Sequence, residues 1–233
     1  EDMSQDLNYN VMFSPRGVLM LAQTQHEIRG YQRTAHANAL QGVQTEFISP
    51  KRVKEIVPII NLDGPRYPVL GALWQERGGT ARHDAVAWGY ARGADAMGID
   101  VIQNCEVLGL DVENGTIKGV RTTRGDIKAK KVAMACAGHT SVVADMAGIR
   151  LPIESHPLQA LVSEPMKPVI DCVVMSNAVH VYVSQSDKGE LVMGAGIDPY
   201  VGYSQRGSLY VIEDQLSSAM ELFPLFSRTR LMR

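Results

Sequence analysis

Apolar residues recur at helical intervals most clearly in residues 78–101, GGTARHDAVAWGYARGADAMGIDV. Ala85, Trp88, Ala91, Ala94 and Met97 fall near one face of a predicted helix, and Gly98 is placed to close its last turn in a left-handed cap. A strand over 99–103 is predicted to follow. Upstream, residues 8–22 read as two strands around a turn at Pro15, Arg16 and Gly17. Residues 24–40 put Ile28, Tyr31, Ala35 and Ala39 at helical spacing between polar positions. Ser49 and Pro50 supply a cap and a first-turn residue for a short helix ending near Val57. Pro58, Gly64, Pro65 and Pro68 mark the loop beyond it.

Downstream the pattern is that of a mixed α/β unit. Strands are predicted over 106–111 and 116–122, joined by a turn at Asn114 and Gly115. The continuous apolar run 131–137, KVAMACA, suits a strand covered on both faces, ended by Gly138 and followed by a short helix over 141–146. The end of such a strand is where α/β folds bind ligands. Residues 156–197 read as several strands, 180–184 and 190–195 among them, before a helix over 208–222.

With 233 residues, 45% of them hydrophobic, the chain can bury a sizeable core, as one large domain or parts of two. A formal net charge of -2 makes no electrostatic case for nucleic acid or an anionic membrane surface, which leaves small-molecule chemistry as the expectation. The apolar runs are far shorter than the roughly 20 residues that span a bilayer, so a soluble protein is expected. Cys105, Cys136 and Cys172 are odd in number and widely spaced, which fits reduced thiols in a cytoplasmic protein better than disulfides or a thiolate metal site. The chain opens on Glu1 rather than methionine and ends on FSRTRLMR without a stop signal for a fold, so an internal fragment is expected.

The motifs narrow the chemistry. No GxGxxG lies between a strand and a helix, so the phosphate-binding entrance of a dinucleotide fold is not among these residues. Gly194 and Gly196 come nearest, but Ile197, Asp198 and Pro199 follow them and no helix opens there. Gly89 and Gly93 read as small residues permitting close helix packing. Ser141 lacks the glycine flanks of a nucleophile elbow. None of the six histidines pairs with acids or cysteines at metal-ligand spacing, so no metal site is expected. His83 stands out only by its position, a single imidazole at a helix entrance, with Arg82 and Asp84 beside it as solvated loop charges or tuning groups.

In the order GGTARHD, helix, GIDVIQNCEV, strand hairpin and VAMACAGHTS, the chain resembles the D-amino-acid oxidase-like flavoproteins. Within them it is most similar to the beta-subunit branch of the heterotetrameric sarcosine oxidases, and GGTARHDAVAWGYARGA is the segment that singles out this branch. The resemblance runs from NYNVMFSPRGVLMLAQTQHE near the start to ELFPLFSRTRLMR at the end. It implies an α/β fold with a Rossmann-like FAD-binding domain, present in part and interleaved with an antiparallel-sheet substrate domain. Residues 1–75 and 151–233 would be portions of the substrate domain, and 76–150 the middle of the FAD domain. The glycine-rich FAD entrance and a second FAD segment would lie outside this sequence, so the polypeptide alone is expected not to bind FAD stably.

The resemblance also implies two flavins, a noncovalent FAD and an FMN joined through its 8α carbon to His83. The attachment makes chemical sense, because imidazole keeps a nucleophilic lone pair near neutral pH and a helix N-terminus disfavours the imidazolium. Val107 matches a family position whose backbone contacts FAD. Ala137 and Gly138 match the place where small residues let the chain approach FAD, although His139 stands where the commoner pattern has an aromatic residue. The implied reaction is oxidative demethylation of sarcosine to glycine, yielding a one-carbon unit (formaldehyde or methylene-tetrahydrofolate) and hydrogen peroxide. Alpha, gamma and delta subunits would be the partners, with NAD and tetrahydrofolate held on the alpha subunit. The residues that oxidise the amine are not identified. Two rivals stand beside this expectation: the same fold acting on dimethylglycine or a proline-like amine, and a noncatalytic electron-transfer or scaffolding subunit.

Overall fold

The computed structural model describes residues 2–232, so the terminal Glu1 and Arg233 lie outside the described residues. In chain order the elements begin with α1 (Met3–Asp6), β1 (Phe13–Ser14), β2 (Val18–Ala22), α2 (Gln25–Leu40), β3 (Glu46–Ile48) and α3 (Pro50–Ile56). Next come β4 (Gly71–Gln75), β5 (Thr80–Ala81), α4 (His83–Ala96), β6 (Val107–Glu113), β7 (Thr116–Thr122), β8 (Gly125–Lys128) and α5 (Thr140–Asp145). The series ends with β9 (Leu158–Val162), β10 (Val173–Ser176), β11 (Val181–Gln185), β12 (Leu191–Ile197) and α6 (Leu209–Leu222). The chain separates into two compact units, one of residues 1–90, 158–198 and 206–233, the other of 91–157 and 199–205.

The first unit is built on a seven-stranded sheet ordered β3-β4-β2-β10-β11-β12-β9, in which β2 and β10 run parallel and the other neighbours antiparallel. Period-two alternation along β2 decides which side chains meet which layer. Leu19 and Leu21 enter the main core with Val53 of α3, Val174 and Val183 of the sheet, and Ala219 and Leu222 of α6. Met20 and Ala22 pack with Leu73 against Ile28, Tyr31 and Ala35 of α2. The helices therefore cover both faces, α3 and α6 on one and α2 on the other.

Local signals explain the helix starts. The Thr24 hydroxyl accepts the Glu27 N–H at 3.2 Å, while the Glu27 carboxylate accepts from the Gln23 N–H at 2.9 Å, a variant of the reciprocal capping box. Ser49 caps α3 by accepting the Arg52 N–H at 3.3 Å, with Pro50 in the first turn. Cys172 is buried, and burial together with the adjacent Asp171 carboxylate pushes its thiol pKa up to about 12, so it stays an inert protonated core group. Cys105 and Cys136 are free and partly buried.

The second unit holds an antiparallel sheet ordered β6-β7-β8. Asn114 and Gly115 turn the first hairpin with φ of +49° and +74°, the two positive dihedrals that a tight hairpin of this type requires. The third strand, β8, extends the hairpin beyond the two strands expected.

Three expectations are corrected. The strands flanking Pro15, Arg16 and Gly17 exist but do not pair with each other: β1 pairs with β5, and β2 lies between β4 and β10. Residues 99–103 and 131–137 are not strands, because no neighbouring chain among the described residues offers them a ladder. Val101 and Ile102 are accordingly about half exposed, at 48% and 51%. In 131–137 the half-buried residues alternate with exposed ones, and Val132 and Met134 line an apolar cleft of about 400 Å³ with Leu110, Val112, Ile117 and Ile149. The α4 face also differs from its periodicity. Ala85 and Gly89 are its buried residues, whereas Trp88 is 50% exposed and Met97 77%.

No helix among the described residues is long and apolar enough to cross a membrane.

Candidate functional site

His83 is the first residue of α4 and is exposed. Its position is set by the glycines before it. Gly79 passes so close to β1 that an added Cβ would lie 1.9 Å from the Ser14 carbonyl oxygen. The pairings Phe13↔Ala81 and Ser14↔Thr80 then deliver the chain to the helix entrance. On the far side, Gly89 lets α4 settle onto Leu7, Tyr9 and Val11, which an added Cβ would meet at 3.2 to 3.5 Å.

Because backbone carbonyl and Cβ cannot share that space, Gly79→Ala is expected to destabilise the complete subunit by about 1–3 kcal/mol. Its thermal midpoint should fall, and an unchanged midpoint would rule out the close approach as a constraint.

Arg82 and Asp84 flank His83 and pair with each other as a two-pronged fork, Nε to Oδ1 at 3.1 Å and Nη2 to Oδ2 at 2.6 Å. Asp84 also accepts the Ala85 N–H at 2.9 Å. The guanidinium bonds first, and that backbone bond second, hold the Asp84 carboxyl below the usual carboxylate range. The acid remains an anion in the first turn of α4, where the helix dipole favours negative charge. The solvated loop charges of the sequence are thus a matched pair bracketing the imidazole.

The other candidate residues lie in the second unit. Val107 opens β6 half-buried and opposite Thr122, and the register slips between it and Gly109, a bulge of the kind that re-aims backbone groups. Ala137 and Gly138 share a 3-10 turn, Ala137–His139, in which Ala137 adopts φ +45°. Both are exposed. Gly138 has no side chain between its backbone and solvent, and an added Cβ would crowd the Ser155 hydroxyl at 3.3 Å.

Sequence reasoning passed over Ser155 and Tyr203, which reach the Gly138 carbonyl, and the ring of Tyr203, which stacks on His139 at 4.3 Å. Only chain folding brings these residues together, so no local pattern marked them. Among the described residues no group of three or more histidines, cysteines and acids is placed to hold a metal ion.

The family model for FAD dependent oxidoreductases (DAO) matches residues 1–233. The sarcosine oxidase subunit beta of Rhodobacter capsulatus is 62% identical over 233 residues, all of this chain and 56% of that protein. The corresponding subunit of an Arthrobacter species is 56% identical over 234 residues, all of this chain and 58% of that one. The chain therefore spans little more than half the length of these relatives. Among solved structures, L-proline dehydrogenase from P. horikoshii superposes with a TM-score of 0.86 at 27% identity, covering 100% of this chain and 62% of that one.

Proposed function

The chain belongs to the FAD-dependent oxidoreductase family, and on that premise we propose that it is part of a flavin-carrying subunit that oxidises sarcosine to glycine. The observation that carries this reading is the likeness, along the whole chain, to sarcosine oxidase beta subunits. In it, residues 76–150 are the middle of the FAD domain and 1–75 and 151–233 belong to the substrate domain. The free thiols suit a cytoplasmic setting.

His83 is the covalent FMN anchor, presented to solvent at the start of α4. Arg82 and Asp84 flank it in the chain as an ion pair. The backbone at Val107 and the turn at Ala137 and Gly138 border FAD, where small side chains keep the approach open. When bound, the flavins supply the two-electron acceptor and the route to oxygen, while the protein orients and excludes. The net reaction converts sarcosine, water and oxygen to glycine, formaldehyde and hydrogen peroxide, or passes the one-carbon unit to tetrahydrofolate. Alpha, gamma and delta subunits complete the enzyme, the alpha subunit holding NAD and tetrahydrofolate.

A second reading has its own support. The fold matches an L-proline dehydrogenase over the full chain, so a cyclic secondary amine is the principal rival substrate, with dimethylglycine the tertiary-amine alternative. Steady-state turnover of the assembled enzyme on sarcosine, dimethylglycine and proline decides between them. Sarcosine is expected to have the highest kcat/KM, and a higher value for either competitor would overturn the assignment.

A further inference from the structure

The turn at Ala137 and Gly138 is held in a conformation that its own residues do not favour. Ala137 sits at φ +45°, the left-handed region that a side chain with a Cβ resists. Such a residue persists where its surroundings over-determine it. Within the turn, the His139 N–H donates to the Cys136 carbonyl at 2.9 Å and the Thr140 hydroxyl to the Ala137 carbonyl at 2.7 Å.

Two further donors arrive from elsewhere in the chain. The Ser155 hydroxyl donates to the Gly138 carbonyl at 2.6 Å from 17 residues away, and the Tyr203 hydroxyl donates to the same oxygen at 2.9 Å from 65 residues away. The Gly202 N–H donates to the Ser155 carbonyl at 2.9 Å, which ties the two donor segments together. The Tyr203 ring lies nearly parallel to the His139 ring, 15° apart.

These contacts are not core packing. Tyr203 is 46% exposed, and Ser155, in the same compact unit, is only half-buried. What they determine is the direction of the peptide groups. A trans peptide points its carbonyl and N–H to opposite sides, and in the Gly138–His139 peptide both are held, the carbonyl by the two hydroxyls and the N–H by the Cys136 carbonyl, which fixes that plane. In the preceding peptide the Ala137 carbonyl is engaged by Thr140, so the Gly138 N–H points to the opposite side of the turn.

We infer that Ser155 and Tyr203 are positioning residues for the flavin, clamping the Gly138 carbonyl so that the turn presents its backbone to FAD in one orientation. The inference rests on the reading that this turn borders FAD. The Tyr203 ring, stacked on His139, braces the end of the same turn.

The test uses the complete subunit assembled with its partners. Acid precipitation leaves noncovalent FAD in the supernatant and covalent flavin in the pellet, so the two are counted separately. Ser155→Ala and Tyr203→Phe are each expected to weaken FAD binding about threefold on reconstitution, and the double variant about tenfold. The visible circular dichroism of the bound flavin should change, while the melting temperature of the FAD-free protein stays that of the parent. Tyr203→Phe keeps the ring stack and Tyr203→Leu removes it, so Tyr203→Leu should weaken binding further. FAD affinity within twofold of the parent in the double variant overturns the clamp. A loss of affinity matched by an equal loss of FAD-free stability also overturns it, since the contacts would then serve only the fold. Gly138→Val separates the two levels. If it weakens FAD binding while the double variant does not, the clamp alone fails; if neither does, the turn does not border FAD and both readings fall.

Discussion

The His83→Ala substitution should leave the acid-precipitated subunit colourless, with no covalent flavin in the pellet. His83 opens α4 in an exposed position and is bracketed by the Arg82–Asp84 fork, so its ring can be reached without unfolding anything. The proposed FMN bond needs a nitrogen lone pair aimed at the flavin 8α carbon, and alanine offers none. The effect is all-or-none, unlike that of Arg82→Ala, which removes a partner of Asp84 and is expected only to slow attachment. Expression with the partner subunits, acid precipitation and flavin absorbance of the pellet make the measurement. A pellet as yellow in His83→Ala as in the parent would overturn the assignment. FAD in the supernatant should persist in the variant, because the proposed FAD residues Val107, Ala137 and Gly138 are untouched.

The largest stability effect is expected at Phe223. It follows α6, is 0% exposed, and stacks on Phe226 with ring centroids 4.8 Å apart. It belongs to the main core, which also includes Leu19 and Leu21 of β2, Val53 of α3 and Val183 of β11. Truncating a buried phenylalanine to alanine costs about 3–5 kcal/mol, because the cavity is only partly refilled. Against an ordinary total of about 5–15 kcal/mol that is a large share. The melting temperature of the complete subunit should drop by about 4–6 °C. Leu40→Ala is the comparison, since Leu40 is 90% exposed and its loss should stay within about 0.5 kcal/mol. Equal midpoints for the two variants would contradict the core described here.

Much of this was legible before folding. The capped starts of α2 and α3, the helix after GGTARHD, the Asn114–Gly115 turn and the last helix all follow from signals within a few residues, because helix hydrogen bonds and tight turns are local. The candidate site was legible at His83 for a different reason: the segment GGTARHDAVAWGYARGA is distinctive as a string. The burial of α4 was not, since an apolar stripe names the residues that favour a core but not the neighbour that covers them. Trp88 therefore stays half exposed while Ala85 and Gly89 are buried.

By itself, then, the sequence determined the mixed α/β class, the helices from α2 onward, and the position of one imidazole at a helix entrance. Only the tertiary structure decided that β1 pairs with β5 rather than β2, that 99–103 and 131–137 find no ladder among the described residues, and that Tyr203 and Ser155 meet at the Gly138 carbonyl. A strand exists only with a partner and a clamp only with its acceptor. Such partners are separated along the chain by distances that no local pattern spans.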